Sequence, residues 1–308
     1  MSAADELAVL IQAGYELQLV KYLGALSATV LIYDYLLTSE LEVKYVWKYP
    51  WSAVKILYLA TRYTPFIDTT VMVLYRDLLW GTSPETCHIA IGAVTWMYVI
   101  GMAVAETLLV IRTWAVWGRS RKVAIFLIVH AVVTLSVVCY STSVYVDSLV
   151  FSYMPLFSGC FGIQASKISY VNWSLFMVAE SVYLGMMLGK AYPLYKQGRD
   201  LSGLYRMLLK DGIAFYIVLF TLSAINLVVV LTQAGILSTI LSTPIRVIHA
   251  ILATRMVYHI RETATRSSRA GDAYTMNTLR SMKFVAGNKP QSATYALASR
   301  SSDGTDEV

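Results

Sequence analysis

Several ionisable side chains are set inside long apolar runs of this sequence: Asp34, Arg62, Asp68, Glu106, Glu180, Arg246 and, three residues after the last, His249. A charge held in hydrocarbon is costly unless it is paired or faces a bundle interior, so such residues mark a helix-register lock, a polar pocket or a proton path. Depth along a helix, at about 1.5 Å per residue, sorts them. Arg62 follows Trp51 by eleven residues and Glu106 precedes Ala115 by nine, which puts both about 14–16 Å from one face and makes them one candidate pair. Glu180 and Arg246, twelve and eleven residues into their runs, both fall near mid-bilayer and make a second. Asp34 and Lys55 share a rim, and Asp68 has no assigned partner. Lys55, Tyr58, Arg62 and Thr69 fall on one helical stripe, as do Arg246, His249, Ala250 and Ala253 on another. The candidate buried polar cluster is therefore Arg62, Glu106, Glu180, Arg246 and His249.

Other chemistries are tested by absence. A retinal Schiff base needs a lysine in the seventh apolar run, where this chain offers Arg246. His88, His130, His249 and His259 are scattered, so the spacing predicts neither a metal centre nor any cofactor. The chain contains no H-E-x-x-H, no G-x-S-x-G and no phosphate-cradling glycine loop, and no catalytic residue is expected. Asn172-Trp173-Ser174 matches the glycosylation pattern but falls too close to the expected bilayer to be reached.

The elements that position these residues follow from composition. Hydrophobic residues make up 57% of the chain against 14% charged, with mean hydropathy +0.57, outside the range of soluble globular proteins. Despite a net charge of +6, the basic residues sit between apolar runs instead of lining one face, which excludes a nucleic-acid partner and leaves the lipid bilayer. Seven runs reach the length of about 20 residues needed to span it: Leu17–Thr38, Trp51–Tyr75, His88–Ala115, Arg121–Val144, Ile168–Tyr192, Asp211–Gln233 and Gly235–Tyr258. The expected fold is an all-α membrane protein, a seven-transmembrane helix bundle. Pro65 and Pro244 are expected to kink their spans, and Ser181, Gly185 and Gly189 form a small-residue stripe that would admit a neighbouring helix.

Orientation follows from the positive residues. Of the 25 Lys and Arg residues, 20 fall in or at the edges of the first, third and fifth connections and the tail, which places those segments in the cytoplasm and the N-terminus outside. The organisation reads as a short extracellular N-terminus over 1–16, a transmembrane domain over 17–260 and a disordered, Ser/Thr-bearing cytoplasmic tail over 261–308. The first 16 residues carry no Lys or Arg, so no cleavable signal peptide is expected. The plasma membrane or another secretory-pathway membrane is the expected location.

Tyr33-Asp34-Tyr35-Leu36-Leu37-Thr38, with Glu40, Glu42-Val43, Val46-Trp47, Pro50-Trp51, Lys55, Tyr58 and Arg62-Tyr63, resembles the N-terminal block of a fungal, mostly basidiomycete, membrane family, domain of unknown function 6533. Glu106, Leu109 and Arg112-Thr113-Trp114-Ala115-Val116-Trp117-Gly118, and then Ala253-Thr254-Arg255-Met256 with Ile260-Arg261-Glu262, are similar to later parts of the same proteins. The resemblance implies a multipass membrane protein and carries no activity or catalytic residue with it. Cys87 and Cys160 both fall on the expected outer side, where a disulfide survives. Their placement resembles the bridge from the third helix to the second outer loop in G-protein-coupled receptors, with Cys139 as a rival partner. Two functions fit this pattern: receptor-like signalling, with a cytoplasmic partner engaged by the basic loops and tail, or a transporter or lipid-handling protein using the buried ionic residues.

Overall fold

The computed structural model of the chain describes residues 3–79, 83–152, 160–164, 166–196, 203–233 and 235–269. Seven long helices make up almost all of it: α1 (Ala3–Glu42), α2 (Ala53–Met72), α3 (Pro84–Val116), α4 (Arg121–Asp147), α5 (Ser169–Lys196), α6 (Gly203–Thr232) and α7 (Ser242–Arg269). A short antiparallel hairpin of β1 (Val150–Ser152) and β2 (Phe161–Gln164) joins α4 to α5. Six of the helices are long and apolar enough to cross a membrane. The exception is α2, whose 20 residues carry Lys55, Arg62 and Asp68. Together the six apolar helices make this a multipass membrane protein. Of the disordered tail expected over 261–308, residues 261–269 instead continue α7, and residues 270–308 lie outside the described residues.

Local signals set the helix ends. The Ser52 hydroxyl accepts from Lys55 N and starts α2, and Ser83 accepts from Thr86 N ahead of Pro84, whose missing N–H costs nothing in a first turn. α3 ends where Gly118 and Arg119 take positive φ angles of 62° and 59°, a left-handed reversal that glycine accepts without strain. The Trp114 indole donates to Ser120 O across that turn, and the Trp117 indole donates to Met186 O on α5. His88, near the start of α3, bonds Val146 O near the end of α4, and Asn172 at the start of α5 bonds Ser141 and Thr142 of α4. Consecutive helices thus run antiparallel. Engaged in this way, Asn172 serves as an interhelical tie.

Burial is reversed relative to a water-soluble bundle. Ile125, Phe126, Ile128, Val129, Val132 and Val133 of α4 all face outward, while Asp34, Glu42, Lys55, Arg62, Asp68, Glu180, Arg246 and His249 are buried. An apolar exterior around an interior of paired charges is what hydrocarbon solvent demands. The apolar core consists of two clusters, one around Leu109, Tyr183, Met187, Tyr216 and Met256 and one around Tyr58, Leu108, Val257 and Tyr258.

Two local expectations are corrected. α7 starts at Ser242, after a 3-10 turn over Gly235–Thr239, so Pro244 lies in the first turn, where it has no helical hydrogen bond to break. The face of Ser181, Gly185 and Gly189 receives no neighbouring helix: Ser181 is exposed, and a Cβ added at either glycine would meet nothing within 4 Å.

Candidate functional site

Three layers of buried polar side chains cross the bundle, and α7 contributes to each. The first lies toward the end of the bundle where α1 gives way to α2. Asp34, Thr38 and Glu42 recur every four residues on α1, one face of a helix, and that face meets Arg62 of α2. Arg62 Nε donates to Glu42 Oε2 at 2.8 Å, Nη2 donates to Thr38 Oγ1 at 2.7 Å and to Tyr35 O at 3.3 Å, and Nη1 stands 3.7 Å from Asp34 Oδ2. The other carboxylate oxygens are also used. Tyr63 and the Trp47 indole donate to Glu42 Oε1, and Arg255 of α7 donates to Asp34 Oδ1 at 2.7 Å. The Tyr58 and Tyr258 hydroxyls bond each other beside this layer. Lys55 does not join Asp34; its ammonium donates to Tyr49 O and lies over the Trp47 and Trp51 rings.

The second layer lies toward the opposite end. Arg246 reaches Asp68 Oδ2 through Nε and Nη2, both at 3.1 Å, and Nη2 also donates to Thr64 Oγ1 at 2.8 Å. The side chains of Arg246 and Asp68 are 1% and 0% exposed, so this is a fully desolvated ion pair. The Arg246 guanidinium packs against α3 at Gly101, where an added Cβ would overlap its Nη2 and Cζ. Only glycine leaves that space.

Between them lies the third layer. His249 Nε2 is 3.2 Å from Glu106 Oε1 on α3 and 3.7 Å from Glu180 Oε1 on α5, with Ser223 of α6 beside Glu180. Within the described residues, Glu106 Oε2 and His249 Nδ1 lack a hydrogen-bond partner, and the Ser223 hydroxyl bonds Glu180. Each buried polar atom without a partner costs about 1–3 kcal/mol.

The five residues singled out from sequence are all buried, but the structure pairs them differently. Arg62 joins Asp34 and Glu42 in place of Glu106. Arg246 joins Asp68 in place of Glu180, and Glu180 and Glu106 both turn to His249. The reason is a helix end. A seventh span beginning at Gly235 puts Arg246 near mid-bilayer, whereas in a helix beginning at Ser242 it is the fifth residue, roughly 6 Å in. At that depth α2 offers Asp68. Glu42, Thr38, Thr64 and Arg255 were missed as partners; the i, i+4, i+8 spacing of Asp34, Thr38 and Glu42 was the available signal.

The stretch that builds the first layer can now be compared with known proteins. Residues 22–67 match the model described as Family of unknown function (DUF6533). The DUF6533 match runs from the middle of α1 to Ile67, and so takes in Asp34, Thr38, Glu42 and Arg62 while stopping one residue short of Asp68. No curated protein matches the chain.

Beyond the three layers, Cys87 near the start of α3 is disulfide-bonded to Cys160 at the head of β2, and Cys160 N donates to Tyr75 O at 3.0 Å. The bond ties the hairpin to α3 and to the end of α2. Cys139 is free. Cys87→Ser and Cys160→Ser should each abolish the same difference in mobility between reducing and non-reducing gels, and Cys139→Ser should leave it. Loss of that difference in Cys139→Ser alone would reassign the pair.

Proposed function

We propose that this chain is a receptor-like signalling protein of seven transmembrane helices, with its N-terminus outside and its basic connections and tail in the cytoplasm. α2 counts as the seventh span because its charges turn inward to partners on α1 and α7, which removes the penalty that its low hydropathy implies. The distribution of Lys and Arg supports the orientation. One observation carries the functional reading: four side chains of α7 bind four different helices, Arg246 and Tyr258 on α2, His249 on α3 and α5, and Arg255 on α1. A shift of α7 therefore exchanges contacts in all three layers at once, the property of a packed element with discrete arrangements.

A second reading, proton or cation transport, draws on the buried carboxylates of Glu106 and Glu180 at the centre of the bundle. One experiment separates the two. Spin labels at Lys48 and Lys196, both exposed at one end of the bundle, report the distance between the α1–α2 connection and α5 in proteoliposomes. Releasing α7 with Arg255→Ala should redistribute that distance without opening any proton flux. An unchanged distribution in a folded Arg255→Ala protein would remove the receptor-like reading, and a flux above that of empty liposomes would favour transport.

A further inference from the structure

We propose that Glu106, Glu180 and His249 form a binding site for one divalent cation of the zinc class at the centre of the bundle. The inference rests on the geometry of these three side chains and is independent of whether the protein signals or transports.

Ligands held about 2.0–2.1 Å from a tetrahedral metal stand roughly 3.3 Å from one another. His249 Nε2 is 3.2 Å from Glu106 Oε1 and 3.7 Å from Glu180 Oε1, and all three ligand atoms lie within 4.8 Å of one another. A small closure of the two carboxylates completes that figure. The donor set selects the cation: one imidazole nitrogen with two carboxylate oxygens suits zinc and its first-row neighbours, whereas calcium and magnesium ask for six or more oxygens. Charge agrees as well. Two carboxylates and a neutral imidazole sum to the charge that one divalent ion cancels, and cancellation matters most where Glu180 and His249 are 0% and 1% exposed.

The poorly satisfied carboxylates are the independent sign. Glu106 Oε2 is buried without a hydrogen-bond partner among the described residues, and buried Glu180 is met by the Ser223 hydroxyl and by His249 at 3.7 Å, whereas Glu42 in the neighbouring layer accepts hydrogen bonds at both of its oxygens. The three ligands come from α3, α5 and α7, so a bound ion would cross-link three helices. Access is from the Glu106 side, whose side chain alone of the three keeps 11% exposure. His249 Nδ1 has no acceptor among the described residues; a missing outer partner typically weakens a metal site by about 10–100-fold, so the affinity should be moderate.

The test uses the full chain in detergent, stripped with chelator and titrated with Zn²⁺ or Co²⁺ alone. We expect one saturable equivalent of Zn²⁺ per chain, a rise in thermal stability at saturation, and with Co²⁺ the intense visible absorption of four-coordinate geometry. Glu180→Gln and His249→Gln should each weaken binding by at least about tenfold, while His88→Gln and His259→Gln keep it. Absence of saturable binding by the wild type, or equal binding by both Gln variants, overturns the site. Should those variants fail to fold, the wild-type Co²⁺ spectrum decides, because weak six-coordinate absorption contradicts a three-ligand tetrahedral centre. A protein that binds no metal but changes stability with pH alone holds a proton there, and the proposal fails.

Discussion

Arg246→Met should destabilise the protein by about 3–5 kcal/mol, the cost of breaking a buried ion pair and leaving one charge behind. Asp68 is fully buried, and besides Arg246 its carboxylate is met by Thr69, through Oγ1 at 3.3 Å and the backbone N–H. The methionine also abandons Thr64 and the packing at Gly101. Asp68→Leu should cost a similar amount, because it strands the guanidinium. Combining the two should cost far less than the sum, since an apolar pair of similar volume needs no desolvation. The measurement is a double-mutant cycle on thermal unfolding in detergent. Additive losses would mean that Arg246 and Asp68 stabilise the bundle through other neighbours, and a coupling found instead between Arg246 and Glu180 would restore the pairing that depth alone suggests.

Arg62 should be still less replaceable. It spreads its guanidinium over Glu42, Thr38, the Tyr35 carbonyl and Asp34, and its Cζ lies 5.0 Å from the centre of the Tyr35 ring. Arg62→Met leaves two α1 carboxylates, Asp34 and Glu42, in the α1–α2 contact without their guanidinium, with Arg255 compensating only Asp34. Folded, monodisperse protein should be lost or its stability lowered by at least about 3–5 kcal/mol. Arg62→Lys should recover little, because an ammonium has no planar fork with which to hold four acceptors on three successive turns of α1. Size-exclusion profiles and melting temperatures of Arg62→Met, Arg62→Lys and Glu42→Gln/Arg62→Met check this. A lysine variant as stable as wild type would reduce the network to a simple point charge.

What could be read in advance depended on which physical signal was involved. Length and hydropathy located the helices, because crossing hydrocarbon constrains the middle of a span, but not their ends: α1 begins at Ala3 where Leu17 was expected, α6 at Gly203 where Asp211 was expected, and α7 runs Ser242–Arg269 where Gly235–Tyr258 was expected. The inward direction of Arg62, Glu106, Glu180, Arg246 and His249 was legible for the same reason: there is nowhere else to put them. Partner choice was not. It depends on which helices adjoin and on how far each is rotated, and α7 packs on α1, α2, α3 and α6, an arrangement no single-chain periodicity encodes. Helix ends mattered as much. Ending the first span at Thr38 leaves Glu42 in a loop, whereas α1 continues to Glu42 and carries the carboxylate to Arg62. The scattered histidines gave no hint of a cluster, since His249 gathers its two carboxylates from helices 69 and 143 residues away in sequence.

The dependence of three layers on α7 also bears on biogenesis. Helices enter the bilayer in order of synthesis, and α7 is the last helix among the described residues. Until Ser242–Arg269 emerges, Asp68, Glu106 and Glu180 lack the Arg246 and His249 side chains they meet, and Asp34 lacks Arg255. A nascent chain halted after α6 therefore holds acidic groups in hydrocarbon, the kind of defect that membrane quality control detects. Arrival of the final helix supplies Arg246, His249 and Arg255 together. Maturation is then a single late commitment in place of a stepwise gain, and nonsense changes near the end of the transmembrane region should be cleared as completely as those near its beginning.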